Sequence, residues 1–141
     1  MIRYTFVTMP KEGFSYDGAV KPRVDFSRFA EIRLGSEVIP LSMYTGKPDF
    51  EGNTLATDNL SEMDIVIYQT PTYTTLENEL DFIKKAHKKG AIVVGMVHDI
   101  DFLRFGGDPS DTIKNLSAFD HVVLPSDEMY QAITTRGKLQ P

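Results

Sequence analysis

The chain has 141 residues, of which 15 are basic and 20 are acidic, so its formal charge is −5. This length suits one domain with a real hydrophobic core, and the lack of cysteine excludes disulfides, zinc ribbons and thiolate catalysis. The acidic balance disfavours nucleic-acid binding, and no apolar run approaches the roughly 18 residues of a membrane span. We expect a single domain over residues 1–141, located in the cytoplasm and not spanning a membrane.

The first forty residues predict a strand, a long loop, a helix and a second strand. Pro22 stands where the first helical turn tolerates a missing N–H, and Pro40 indicates that the second strand lies at an edge. The loop is longer than most connections, and such loops are often functional. These elements are predicted at residues 2–9, 9–21, 22–34 and 36–41.

The middle of the chain predicts a third strand and a second helix. Residues 43–61 mix proline, glycine and asparagine with few apolar residues, so no element is assigned there. The apolar run at 64–69 is typical of a strand covered on both faces in a parallel sheet. Thr74 and Glu77 have the spacing of a capping box, and Gly90 suits the end of the helix that follows.

The last third predicts strands at residues 91–97 and 119–124, then a helix from a Ser126 cap to near Gly137. Alternating strands and helices favour parallel strands with helices on both faces. We therefore expect an α/β fold, a Rossmann-like doubly wound and mainly parallel sheet of about five or more strands.

Polar residues that follow the strands are the first candidates for a site, because ligands of open α/β sheets gather at the carboxyl ends of the strands. Gln69, Thr70 and Tyr73 place an amide, a hydroxyl and an aromatic ring ahead of a helix, which suits sugar hydroxyls or a small anion. A capped turn accounts for the same residues. In the first loop, Gly13 allows close approach of a ligand, but the glycine spacing matches no dinucleotide or P-loop motif.

The fourth strand runs directly into residues 98–104 (HDIDFLR), the densest polar cluster of the chain. A buried His98 beside Asp99 suits proton transfer or the orientation of a substrate hydroxyl, because pairing with a carboxylate fixes the imidazole tautomer. A hydrogen-bonded strand end, with Arg104 holding a loop, is the alternative. Asp99 and Asp101 also have a D-x-D spacing, but no further ligands converge, so we predict neither a metal nor a cofactor.

These motifs carry a resemblance to a known family. The residues concerned are DIVIYQTPTY at 64–73, GAIVV at 90–94, VHDIDFLR at 97–104 and PSDEM at 125–129. They resemble the N-terminal half of bacterial GT-B sugar transferases of the glucosyltransferase 3 and β-1,6-galactofuranosyltransferase type. The resemblance covers residues 60–137 well and the first 60 residues more loosely.

The resemblance implies a two-domain enzyme of polysaccharide biosynthesis that moves a sugar from a nucleotide sugar to a glycan or glycoprotein acceptor. The N-terminal half chiefly recognises the acceptor, and a C-terminal half makes most nucleotide contacts. The 141-residue chain alone is then expected to be inactive, as an excised domain or a truncated reading frame. Proteins of this type associate, which implies that a homo-oligomer can form.

The candidate site combines the matching motif positions with the first loop, whose sequence departs from the family's glycine- and serine-rich version. The predicted catalytic residues are His98 and Asp99. The predicted acceptor-binding residues are Gly13, Tyr16, Gln69, Thr70, Tyr73, Asp101 and Arg104.

A function of another class stays open, a flavodoxin-like signalling or partner-binding module, which also has five parallel strands. A phosphate-receiving module needs acidic residues after the first strand and an aspartate after the third. The sequence has TMP at residues 8–10 and QTP at 69–71 instead. Aspartyl-phosphate signalling is therefore disfavoured, whereas binding of a glycan or a partner without turnover remains an alternative.

Overall fold

The structure, a computed structural model, describes residues 3–8, 20–41, 45–136 and 139, and of residues 3–8 and 20 it describes only the backbone. Within this part of the chain, five strands form one sheet in which every pairing is parallel. The strands are β1 (Arg3–Thr8), β2 (Glu37–Pro40), β3 (Asp64–Thr70), β4 (Ile92–Val97) and β5 (His121–Val123). Their order across the sheet is β2-β1-β3-β4-β5.

Helices occupy most of the remaining described residues. They are α1 (Val20–Leu34), α2 (Phe50–Thr57), α3 (Leu76–Lys88), α4 (Asp101–Phe105), α5 (Ser110–Ala118) and α6 (Asp127–Thr135). None of these helices is both long enough and apolar enough to cross a membrane. The predicted α/β fold with a parallel sheet is confirmed.

Neighbouring residues of β3 show that helices pack on both faces of the sheet. The ring of Tyr68 lies 4.9 Å from that of Phe82 in α3, measured between centroids. The next side chain, Gln69, points the other way and donates to Ser27 Oγ of α1 at 2.9 Å. Because side chains of a strand alternate between its faces, α1 covers one face near β3 and α3 covers the other.

The strand order β2-β1-β3-β4-β5 is the flavodoxin-like order of doubly wound sheets, whereas the Rossmann order is 3-2-1-4-5-6. The direction in which successive strands are added to the sheet reverses between β1 and β3, so this position is the switch point. In either arrangement ligands bind outside the carboxyl ends of the strands beside this switch point. The loops that follow β3 and β4 lie at that edge.

The core beneath β3 and β4 leaves no room at one glycine. The Tyr68 ring lies 5.9 Å from that of Phe119, and both side chains are buried. A Cβ atom added to Gly95 of β4 would stand 2.6 Å from Cδ2 of Phe119. Glycine at this position therefore lets an aromatic ring pack directly on the strand.

The sequence did not predict α2, α4 or α5. The buried side chains of α2 are Asn53 and Thr57, so this helix shows no clear apolar period, whereas α5 buries Asn115 beside Leu116. Asn53 is instead satisfied by hydrogen bonds, one of them to the carbonyl of Asn78 in α3 at 3.0 Å. A helix whose buried face is polar gives no hydrophobic pattern to detect.

The cap of α3 lies one residue later than the predicted capping box. Thr75, rather than Thr74, caps the helix, and its hydroxyl accepts from the N–H of Asn78 at 3.0 Å. Thr74 instead shares a hydrogen bond of 2.9 Å with the hydroxyl of Thr72 in the preceding loop. The predicted end is confirmed, since Gly90 has a left-handed φ of 83°.

Candidate functional site

A cleft of about 250 Å³ opens at the carboxyl edge of the sheet. The loop after β3, the segment after β4 and the first turns of α5 form its walls. Pockets for drug-sized ligands measure about 300–1,000 Å³, so this cleft is just below that range. Its size suits a single sugar ring better than a nucleotide sugar.

Four predicted site residues lie together in the wall of this cleft. They are Thr70, Tyr73, Asp99 and Asp101. Tyr73 has a left-handed φ of 57°, which is uncommon for a bulky aromatic residue and is held here by the surrounding loop. Its carbonyl accepts from the N–H of Gly46 at 3.3 Å, which joins two loops at this edge.

Two residues that sequence reasoning missed form the floor of the cleft. Glu79 of α3 is 6% exposed and Asn115 of α5 is 8% exposed. The hydroxyl of Thr70 lies between them, 2.7 Å from Oε1 of Glu79 and 3.4 Å from Oδ1 of Asn115. A signal for Glu79 was present, because it shares one face of α3 with Phe82, Ile83 and Ala86, all buried.

The carboxyl of Glu79 titrates far from its ordinary range. Burial raises its pKa from 4.5 to about 7. The hydroxyl of Thr70, the backbone N–H of Thr72 and the charge of Arg23 lower the pKa and offset part of this effect. Near neutral pH, Glu79 is thus close to half protonated, which is unusual for a glutamate.

His98 lies on the other side of the strand end. Its backbone N–H donates to the carbonyl of Thr70 at 2.9 Å, which continues the β3–β4 ladder by one residue. The side chain of His98 faces α1, whereas Asp99 lines the cleft. The His98 ring packs edge-on against Phe26 of α1, with centroids 5.9 Å apart.

The hydrogen bonds of Gln69 assign the tautomer of His98. Nε2 of Gln69 donates to the carbonyl of Arg23 at 3.0 Å and to Ser27 Oγ at 2.9 Å, so its Oε1 is left as an acceptor. That Oε1 lies 2.7 Å from Nε2 of His98. The imidazole therefore carries its proton on Nε2, and Nδ1 bears a lone pair.

The imidazole is neutral over most of the pH range. Burial, together with the positive charge of Arg23, lowers the pKa of His98 from 6.5 to about 4. Arg23 is itself buried and donates from Nη2 to the carbonyl of Pro71 at 2.8 Å. A base with this pKa removes protons poorly at neutral pH.

The expected pairing of His98 with Asp99 is wrong. Oδ2 of Asp99 accepts from Nη1 of Arg104 at 2.7 Å, and Oδ1 accepts from the N–H of Ile100 at 2.9 Å. Nε2 of His98 lies 2.7 Å from Oε1 of Gln69 instead, so the two side chains have different partners. Arg104 agrees with the alternative interpretation, in which it holds a loop, because its guanidinium bonds to Asp99.

Gln69 and Arg104 do not line the described part of the cleft. Gln69 is 2% exposed, and its hydrogen bonds to Ser27 of α1 and to His98 place it behind the strand. Gly13 and Tyr16 fall outside the described residues. Over the described ranges, no group of three histidine or acidic side chains is placed to hold a metal ion.

The charge of the cleft decides what it can bind. Its described lining includes Glu79, Asp99, Asp101 and Asp111 and contains no lysine, arginine or histidine. Carboxylates repel phosphate groups and accept hydrogen bonds from hydroxyls. The cleft thus favours a neutral ligand that is rich in hydroxyl groups.

Comparison with known proteins agrees with the motifs at this edge. No curated protein matches the chain significantly. A family model described as "Glucosyltransferase 3-like, N-terminal domain" matches residues 4–141, which is nearly the whole chain. The chain therefore belongs to the family of glucosyltransferase 3-like N-terminal domains.

Proposed function

We propose that the domain is the acceptor-binding half of a GT-B glycosyltransferase, which moves a sugar from a nucleotide sugar to a glycan or glycoprotein. The observation that carries this proposal is the small cleft lined by carboxylates and hydroxyls, with no positive charge in its described wall. Membership of the glucosyltransferase 3-like family supports a sugar-related role. A cytoplasmic location, polysaccharide biosynthesis and transfer of galactofuranose belong to the same proposal.

The nucleotide diphosphate of the donor needs cations, and the described lining of this cleft contains no lysine, arginine or histidine. In the proposal those groups belong to a second domain. Catalysis then depends on holding the acceptor hydroxyl in place and on stabilising the leaving diphosphate. Asp99 faces the bound acceptor and accepts from its hydroxyl, whereas His98 is a neutral hydrogen-bonding group on the other side of the strand end.

Amide NMR spectra of the ¹⁵N-labelled chain test this function. We expect the methyl glycosides of glucose, galactose and mannose to shift the amides of residues 70, 72–76 and 99–101, and uridine diphosphate glucose to leave them unchanged. Asp99→Asn should weaken glycoside binding, since a carboxylate accepts more strongly than an amide. Asp25→Asn is the control, because Asp25 is an exposed residue of α1 that pairs with Lys21 at 2.6 Å.

Binding of the nucleotide sugar in the cleft, or binding of no glycoside at all, would contradict the proposal. The second outcome would favour a partner-binding module. An exposed apolar row on α1 supports that alternative, since Phe29 is 59% exposed and Ile32 is 72% exposed.

A further inference from the structure

The floor of the cleft brings together polar groups from three elements. Thr70 comes from the end of β3, Glu79 from the first turn of α3 and Asn115 from α5. All three side chains are buried, yet all three line the cleft. A buried polar group that is reachable only through a cleft is positioned for a ligand more than for bulk water.

Asn115 has hydrogen-bonding capacity that the described protein does not use. Its Oδ1 receives only the long contact of 3.4 Å from Thr70, and its Nδ2 is buried with no hydrogen-bond partner among the described residues. Buried amide donors are nearly always paired in folded proteins. An unpaired donor at the floor of a cleft therefore indicates that a ligand oxygen completes the site.

Glu79 supplies the complementary group beside this donor. Its carboxylate receives the Thr70 hydroxyl at 2.7 Å and the N–H of Thr72. A carboxylate has about four acceptor positions, so it can accept further hydrogen bonds. The floor thus presents an acceptor and a donor side by side, which matches two neighbouring hydroxyl groups and rejects a phosphate.

We propose that Glu79 and Asn115 form the floor of a sugar subsite. Glu79 accepts a hydrogen bond from one sugar hydroxyl, and Nδ2 of Asn115 donates to the oxygen of its neighbour. This inference rests on the proposed function, because it takes the occupant of the cleft to be a neutral saccharide. It adds the two residues that recognise the sugar and the pair of hydroxyls that they read.

The test follows the side-chain amide signals of Asn115 while methyl glucoside, galactoside and mannoside are added to the ¹⁵N-labelled chain. We expect both Nδ2 proton signals to shift with the glycoside that binds best. Removing one hydroxyl of that glycoside in a monodeoxy series should weaken binding about tenfold at two neighbouring positions only. These measurements use the unmodified protein, so they do not depend on the folding of a variant.

Variants then assign each hydroxyl to its partner. Asn115→Leu should lose about tenfold in affinity and should no longer distinguish the parent glycoside from one monodeoxy analogue. Glu79→Gln should do the same for the neighbouring position. Glu77→Gln is the matched control, because Glu77 lies in the same turn of α3 but is exposed and does not line the cleft.

The outcomes separate the two proposals. If no glycoside binds, the proposed function and the sugar subsite both fail. If a glycoside binds but the Asn115 signals do not move, and both variants bind as well as Glu77→Gln does, the subsite is overturned and the function stands. Loss of discrimination at one hydroxyl in each variant supports both.

Discussion

Replacing Glu79 by glutamine should make the stability of the domain less sensitive to pH. The folded protein holds the pKa of Glu79 at about 7, against 4.5 for an ordinary glutamate, because burial disfavours the charged form. A raised pKa means that the folded state binds this proton more tightly than the unfolded state does. The contribution of the protonated Glu79 to the stability of the wild-type chain is therefore fully present below about pH 4.5 and is lost as the pH rises through about 7.

The size of the loss follows from the shift. One pKa unit corresponds to about 1.36 kcal/mol, so ionising Glu79 costs the folded state about 3 kcal/mol at high pH. Glutamine has nearly the same shape, can still accept from Thr70 and never ionises. We expect Glu79→Gln to gain up to about 3 kcal/mol in free energy of unfolding, relative to wild type, between about pH 4.5 and about pH 8.

Urea unfolding followed by circular dichroism at several pH values measures this difference directly. The other titrating groups cancel when wild type and variant are compared at each pH. Glu77→Gln is the control for the substitution itself, because Glu77 lies in the same turn of α3 but is exposed. A wild-type to Glu79→Gln difference that stays flat, or that shrinks with rising pH, would refute the argument.

Three further predictions concern Gly95 in β4, His98 just after that strand, and Asn115 at the floor of the cleft. Gly95→Ala should cost about 1–3 kcal/mol in urea unfolding, because its Cβ would stand 2.6 Å from a buried ring carbon of Phe119, and an unchanged midpoint would contradict this packing. The imidazole proton signals of His98 should titrate with a midpoint near pH 4, and a midpoint near 6.5 would show that burial and the bond to Gln69 do not hold it neutral. Asn115→Leu should raise the free energy of unfolding by about 1 kcal/mol, since it removes a buried donor without a described partner, and clear destabilisation would disprove this account.

Hydrophobic pattern predicted those elements whose burial is apolar. The run at 64–69 became β3, the run at 91–97 contains β4, and the helix before Gly90 is α3. The hydrophobic pattern did not predict α2, because its buried residues are the polar Asn53 and Thr57. Asn53 forms a hydrogen bond with the neighbouring helix α3. Such a face depends on partners that are distant in sequence, so local periodicity carries no record of it.

Position at the end of a strand predicted part of the site. Thr70 ends β3, Asp99 comes after β4, and both lie in the cleft, as expected of residues at carboxyl ends. The inferred pair of His98 and Asp99 failed because adjacency in sequence does not bring two side chains together: His98 bonds to Gln69, and Asp99 bonds to Arg104. Glu79 and Asn115 lie in helices and do not follow a strand, so position along a strand gives no signal for them, and tertiary packing brings them to the floor of the cleft.

His98 and Glu79 lie on opposite sides of the strand end, and they respond differently to pH near neutrality. Burial disfavours the charged form of both groups, so it lowers the pKa of His98 and raises that of Glu79. Arg23 lowers both values, which reinforces burial at the imidazole and opposes it at the carboxyl. Histidine is the usual switch at neutral pH, but here His98 stays neutral while Glu79 is close to half ionised. A change in glycoside binding around pH 7 would therefore trace to the carboxyl at the floor of the cleft and not to the imidazole.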